Sequence, residues 1–313
     1  MILTVTPNPA LDLTWHVDGL TPGATHRVPA ASSRAGGKGV NVARVLHTEG
    51  HPVIALTTAG GSTGAEFEAE LTASGVAHRL IPVGAATRRS VAVVDAATGE
   101  TSILNEIGAP LRPEDAAALV ETAARLGRTA RAVAVCGSLP PGIGDDDLGR
   151  MVGDLVGAGI PVVADTSGTA LLAAARAGAH ALKPNRDELE SATGHTDPVT
   201  GAATLIALGA RLVVVSLGAE GLVVVDRDRP PVHARLPRPL HGNATGAGDA
   251  AVAAIAIALA GARTVESVDL DLLARRATAW SASAVLMPLA GELSPEHAAL
   301  EDEVAVSRME EAG

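Results

Sequence analysis

The chain has 313 residues, 47% hydrophobic and 19% charged, which supplies a sizeable core and excludes a disordered or nucleic-acid-coating chain. The 24 basic residues against 35 acidic ones give a formal net charge of -11, a field that repels phosphate backbones and anionic membrane surfaces. A single cysteine, Cys136, excludes a disulfide framework, and one Phe, two Trp and no Tyr exclude an aromatic platform for stacking bases.

In chain order, short β-branched runs alternate with longer Ala/Leu-rich stretches of helical period, the pattern of a mostly parallel α/β sheet. The pattern predicts strands at 2–6, 53–58, 132–136, 161–164, 179–182 and 212–216. It predicts helices at 39–47, 64–74, 113–126, 170–177, 187–192, 246–259 and 270–285, many opening on Gly, Ser, Thr, Asn or Asp that supply N-caps. Two stretches, about 12–33 and 89–104, hold strand-like pieces and turns but no helical period, and are expected to form a small β lid. Turn signals around 221–226 and 231–236 predict antiparallel strands at one sheet edge, and the charged tail from Glu301 is expected to fray. With no repeat, low-complexity linker or charge run, 1–313 is expected to be a single domain with the lid segments inserted in it. The start of the chain has no signal-peptide pattern, and the uncharged Ala250–Ala262 run is shorter than the about 20 residues needed to cross a bilayer. A soluble cytoplasmic protein is expected, with neither nucleic acid nor membrane as a partner.

Five turns, four of them containing glycine, are candidates for chemistry, each against the ordinary reading of a structural turn or helix cap. Gly246-Ala247-Gly248-Asp249 follows Asn243-Ala244-Thr245 and opens an Ala-rich helix. Its glycines let the backbone approach a ligand, the helix N-terminus presents free N–H groups to an anion, and a carboxylate there suits a general base. The ordinary alternative is a helix cap with Gly for packing. Gly36-Gly37-Lys38-Gly39-Val40-Asn41 places Lys and Asn in a first helical turn, a polar cradle that lacks the GxxxxGK frame of a P-loop. Lys183-Pro184-Asn185-Arg186-Asp187-Glu188 sets Asn185 and Glu188 three apart at a helix start, where they form either a capping pair or an oxygen pair for the water shell of Mg2+. The turns at Ser216-Leu217-Gly218-Ala219-Glu220-Gly221 and at Cys136-Gly137-Ser138-Leu139-Pro140 end strands, where open α/β sheets bind ligands. Gly60-Gly61-Ser62-Thr63-Gly64 matches the nucleophile-elbow pattern, but no acid and His are paired with Ser62 in the sequence. His47 and His51 are spaced four apart, but Gly50 and Pro52 break the helix that would align them on a metal.

In this order the pieces resemble the PfkB (ribokinase-like) family of carbohydrate kinases, and within it the 1-phosphofructokinase/tagatose-6-phosphate kinase branch. The resemblance runs from Met1 to about Pro295. Thr6-Pro7-Asn8-Pro9-Ala10-Leu11-Asp12 is similar to the opening motif of that branch, Gly36 to Leu46 to the first family signature, and Asn243 to Asp249 to the second. The resemblance implies a three-layer α/β/α sandwich with a mostly parallel central sheet and a small β-sheet lid. It implies Asp249 as catalytic base, with the Gly246, Ala247 and Gly248 amides as anion hole. Asp12, Gly37, Lys38 and Asn41 would meet sugar hydroxyls. Arg88 and Ser138 would hold a phosphate already on the substrate, with Arg27 adding a cation across a dimer interface. Lys183, Asn185 and Glu188 would serve ATP phosphates and Mg2+, and Ser216, Gly218 and Gly221 the nucleotide. Ala244 and Ala250 depart from the family's usual hydroxyl residues, and Arg89 beside Arg88 leaves open which arginine meets the phosphate.

The expected activity is ATP- and Mg2+-dependent phosphorylation of a phosphosugar, first fructose 1-phosphate to fructose 1,6-bisphosphate, with tagatose 6-phosphate and fructose 6-phosphate as alternatives. From another class, a non-catalytic sugar-phosphate sensor is the competing reading, against which Asp249, Lys183 and Glu188 argue. A homodimer joined through the lid is expected, with Trp15 as a contact.

Overall fold

The computed structural model describes residues 1–309. Ten strands form one sheet in the order β14-β13-β12-β11-β10-β9-β8-β1-β4-β5. Its parallel part comprises β1 (Ile2–Thr6), β4 (Val53–Ala59), β5 (His78–Pro82), β8 (Ala132–Cys136), β9 (Val162–Asp165), β10 (Ala181–Leu182) and β11 (Leu212–Ser216). Three antiparallel strands close one edge: β12 (Leu222–Asp226), β13 (Val232–Arg235) and β14 (Ala305–Arg308).

Buried on both faces, the parallel strands carry mostly apolar side chains and divide them by parity. Leu3, Val5, Val133, Val135, Val213 and Val215 enter one core layer, while Ile2, Ala132, Ala134, Leu212 and Val214 enter the other. The first layer is completed by α3 (Pro113–Gly127), α4 (Asp145–Gly157), α5 (Gly168–Arg176), α6 (Arg186–Thr193) and α7 (Pro198–Leu208). The second is completed by α1 (Lys38–Thr48), α2 (Gly61–Ala73), α8 (Ala247–Gly261), α9 (Leu270–Val285) and α10 (His297–Glu303). The expected three-layer α/β/α sandwich is present.

The lid is a second sheet in the order β3-β2-β6-β7, formed by β2 (Ala10–Val17), β3 (Ser32–Gly36), β6 (Arg88–Asp95) and β7 (Thr101–Asn105). It extends slightly beyond the expected segments, and it is mixed, with β2 parallel to β6. On one face it carries Asp12, Thr14 and His16 of β2 in register with Ser90, Ala92 and Val94 of β6.

The tail differs from expectation. Instead of fraying from Glu301, its described part forms the end of α10 and then β14, which pairs with β13 from Val232↔Arg308 to Arg235↔Ala305, and positions 310–313 of that expectation lie outside the described residues. Arg275 of α9 fixes this return by donating to Glu301 O at 3.1 Å and Val304 O at 2.6 Å. No described helix is long and apolar enough to cross a membrane.

Candidate active site

A cavity of 1070 Å³ opens at the carboxyl ends of the parallel strands, roofed by the lid. Among its lining are Asp12, Gly37, Lys38, Asn41, Arg88, Ser138, Lys183, Asn185, Glu188, Ser216, Gly218, Gly221 and the Gly246–Asp249 turn. Every site residue named from sequence is therefore gathered there except Arg27, which lies exposed on the loop between β2 and β3, outside the cavity of the single chain. Arg88 lines the cavity and Arg89 does not. Ser62 is exposed at the start of α2 and also lies outside.

The turn before α8 is fixed by interlocking contacts. Asn243 donates from Nδ2 to Pro288 O at 3.1 Å and accepts from the Thr245 N–H at 3.0 Å. Gly246 is left-handed at φ 89, and a Cβ there would lie 2.8 Å from Ala290 Cα. Gly291, at φ 82, leaves space that Arg44 and Asn41 fill. The Pro288–Gly291 stretch is thus the buttress that seats the Gly246–Asp249 turn. The Ala247 N–H is spent on Ala244 O at 3.2 Å. Gly246, Gly248 and Asp249 have no backbone acceptor among the described residues, so the open anion-facing amides are theirs rather than Ala247's.

Asp249 is buried, and its Oδ2 accepts from Asn41 Nδ2 at 2.8 Å. Burial and then the neighbouring Asp165 push its pKa up to about 7, against the opposing pull of the Asn41 hydrogen bond, Lys38 and Lys183. A carboxyl poised there is suited to accept a proton near neutral pH. On the lid, burial raises Asp12 to about 6, partly offset by Arg88, Arg34 and Arg44. A Cβ at Gly36 would collide with the Asp12 carboxylate, so a glycine is required where β3 passes it.

Asp165, at the end of β9, is a central group that the sequence reading missed. It is fully buried, and its Oδ1 meets Lys38 Nζ at 3.2 Å and Lys183 Nζ at 3.4 Å, while Oδ2 is buried without a hydrogen-bond partner among the described residues. Lys38 also lies 3.7 Å from Glu188 Oε1. Burial works against the charge on Lys38, but Asp165, Glu188 and Asp249 outweigh it and raise its pKa above the usual lysine value. Lys38 therefore stands among the carboxylates toward α6, not only beside a sugar site. An isolated aspartate after a strand carries no spacing signal, so only its position one residue beyond the predicted strand 161–164 could have marked it.

At α6, both readings of Asn185 and Glu188 start from a capping box: Asn185 Oδ1 accepts from the Glu188 N–H at 2.8 Å, and Glu188 Oε2 from the Asn185 N–H at 2.9 Å. Among the described residues there is no group of three or more His, Cys, Asp or Glu able to hold a metal. Mg2+ needs only one or two protein carboxylates when phosphates supply the remainder. The unpartnered Asp165 Oδ2 and the Glu188 carboxylate are hard oxygen donors of the required kind.

At the opposite end of the cavity, Arg88 donates from Nε and Nη2 to Asn8 O at 3.3 and 3.2 Å, and from Nη1 to Glu106 O at 3.2 Å. Asn8 Nδ2 donates to Ser138 Oγ at 3.1 Å. Asn8 is the second residue missed as a site residue, although it sits in the opening motif. Near β11, Gly221 at φ 89 comes so close to β13 that a Cβ would strike Ala234 O.

A model of the pfkB family carbohydrate kinases matches residues 7–297. A 1-phosphofructokinase of Xanthomonas campestris pv. campestris is 39% identical over 303 residues, covering 94% of this chain and 94% of the relative. A 1-phosphofructokinase of Rhodobacter capsulatus is 37% identical, covering 94% of this chain and 92% of the relative. The structure of phosphofructokinase-2 from Escherichia coli in complex with fructose-6-phosphate superposes with a TM-score of 0.85 at 29% identity, covering 96% of this chain and 97% of that one. The turn that carries Asp249, the cavity at the strand ends and these similarities agree: the chain belongs to the pfkB family of carbohydrate kinases.

Proposed function

We propose that the chain is an ATP- and Mg2+-dependent phosphosugar kinase whose substrate is fructose 1-phosphate and whose product is fructose 1,6-bisphosphate. The observation that carries the reading is the buried Asp249 carboxyl, beside open helix-start amides, in one cavity with Arg88 and Ser138. The names of the Xanthomonas and Rhodobacter relatives support the choice of sugar. Fructose 6-phosphate is the second reading, supported by the ligand of the Escherichia coli structure.

Asp249 takes the proton from the free hydroxymethyl group of the sugar. The resulting alkoxide oxygen bonds to the γ-phosphorus of ATP as the bond from that phosphorus to the β-bridging oxygen breaks, leaving ADP. The Gly248 and Asp249 amides and the two lysines face the charge that develops on the transferring group. Arg88 and Ser138 hold the phosphate already present, so the reacting hydroxyl is placed at the other end of the sugar. Asp165 and Glu188 would hold Mg2+ through its water shell, and the ion would neutralise nucleotide phosphate charge. Ser216, Gly218 and Gly221 flank the nucleotide, and the lid excludes water that would otherwise consume ATP.

A homodimer through the lid belongs to this reading. The lid leaves Ile103 and Leu104 of β7 and the following Ile107 exposed, at 47%, 62% and 80%. Arg27, exposed on the β2–β3 loop and outside its own cavity, is in this reading the cation offered to a partner. Replacing Asp249 with Asn tests the enzyme reading against a sensor: the variant should bind fructose 1-phosphate and ATP by calorimetry while losing most turnover. A wild-type chain that binds both ligands and forms no ADP would be a sensor.

A further inference from the structure

Asn8 is held between two prolines, Pro7 and Pro9, in the loop from β1 to β2, and is 8% exposed. Both hydrogens of its carboxamide are committed: Nδ2 donates to Ile107 O at 3.0 Å and to Ser138 Oγ at 3.1 Å. Because a main-chain carbonyl can only accept, the Ile107 contact fixes which end of the carboxamide is the NH2 group. The same residue's carbonyl receives Nε and Nη2 of Arg88. Gly108, at φ 97, gives the carboxamide its space, since a Cβ there would lie 2.8 Å from Asn8 Oδ1. One rigid loop residue thus contacts both side chains assigned above to the substrate phosphate.

The polarity of this arrangement has a chemical consequence. A hydroxyl has one hydrogen to donate and lone pairs to accept with. With a lone pair of Ser138 Oγ occupied by the Asn8 NH2, and no acceptor for its hydrogen among the described residues, the hydroxyl is left to donate into the cavity. A phosphate dianion only accepts, whereas a sugar hydroxyl can do either. We infer that Asn8 is a positioning residue for substrate choice: it sets Ser138 as a donor and holds Arg88 beside it, so that the subsite prefers a phosphorylated over an unphosphorylated end of the sugar. This inference rests on the phosphosugar reading.

The test measures KM and kcat for fructose 1-phosphate in the wild type, Asn8→Ala, Ser138→Ala and the double variant, with fructose as the unphosphorylated reference, as substrate or competitive inhibitor. Asn8→Ala should weaken fructose 1-phosphate by about tenfold or more in KM, with far less effect on fructose. The double variant should lose little beyond Ser138→Ala, because Asn8 acts through that hydroxyl. Asn8→Asp, of the same shape, should be worse than Asn8→Ala: it cannot donate to Ile107 O, it accepts the Ser138 hydrogen, and it adds a negative charge. If Asn8→Ala fails to fold, Asn8→Asp carries the same comparison. Equal losses for both ligands, or losses that multiply in the double variant, would overturn the positioning role while leaving the phosphosugar reading intact. A Ser138→Ala variant with unaltered KM for fructose 1-phosphate would overturn the phosphate subsite itself, and the positioning role with it.

Discussion

With Asp249 as the proposed base, its titration sets the expected pH behaviour of the site. The base must be ionised to accept a proton, and its pKa is lifted from the carboxylate range to about 7, so kcat/KM should fall about tenfold per pH unit below that value. A pH–rate profile of the wild type measures this limb; one lying near pH 4 would show that the site does not lift the Asp249 pKa, and a limb unchanged in the residual turnover of Asp249→Asn would show that another group is the titrating base. The same shift has a stability consequence of opposite sense. Because the folded pKa is raised, the contribution of this group to stability is fully present below about pH 4 and is lost as pH rises through about 7. Asp249→Asn should therefore raise the melting temperature more at pH 8 than at pH 4, despite abolishing turnover, because an amide still accepts from Asn41. At this scale the contiguous motifs were legible: Gly, Lys, Asn and Asp at a helix start state their chemistry in one stretch of chain. Asp165 was not, because its place depends on Lys38 at the start of α1 and Lys183 after β10 meeting there, the former 127 residues away.

Among the elements, α8 shows why its sequence is so rich in alanine. It packs against α1, α9 and the β8 and β9 strands, and Ala250, Ala251, Ala253, Ala254 and Ala256 are buried on all sides. Small side chains let the helix lie between two layers, so the run has a packing reason that composition alone hid. Ala253→Leu should cost about 1–3 kcal/mol by overpacking, read from urea denaturation. Gly246→Ala should be doubly harmful, forcing a left-handed alanine of about 1 kcal/mol cost or more and a clash with Ala290, and kcat should drop with stability. Most strands of the parallel sheet were legible because burial on both faces gives largely apolar runs. Besides α10 and β14 of the tail, three elements were not. β5 is short and ends in Pro82, which suits an edge strand. In α4 and α7 the signals lay at the caps, three successive aspartates in the first turn of one and Asp197-Pro198 opening the other, while glycines interrupt both interiors. The lid was legible by the lack of helical period, but its boundaries were set by pairing: Ala10↔Gly36 and Ala10↔Arg88 extend it beyond the residues with strand character.

At the scale of the whole molecule, one cavity has two ends to which the proposed function gives different tasks: the lid end with Arg88, Ser138 and Asp12, and the α6 end with Lys38, Lys183 and Glu188. Asp249 lies at the base between them, tied to α1 through Asn41. The lid assembly is tested by light scattering, which should give the mass of a dimer, and by Leu104→Asp, which should shift it toward a monomer; a monomeric wild type would contradict it. The measurement that tests the central claim most directly is ADP release with Mg-ATP against fructose 1-phosphate, fructose 6-phosphate, tagatose 6-phosphate, ribose and adenosine. A preference of about 100-fold in kcat/KM for fructose 1-phosphate, about 2.7 kcal/mol of differential transition-state binding, is the predicted result. Turnover of ribose or adenosine with none of any phosphosugar would contradict it.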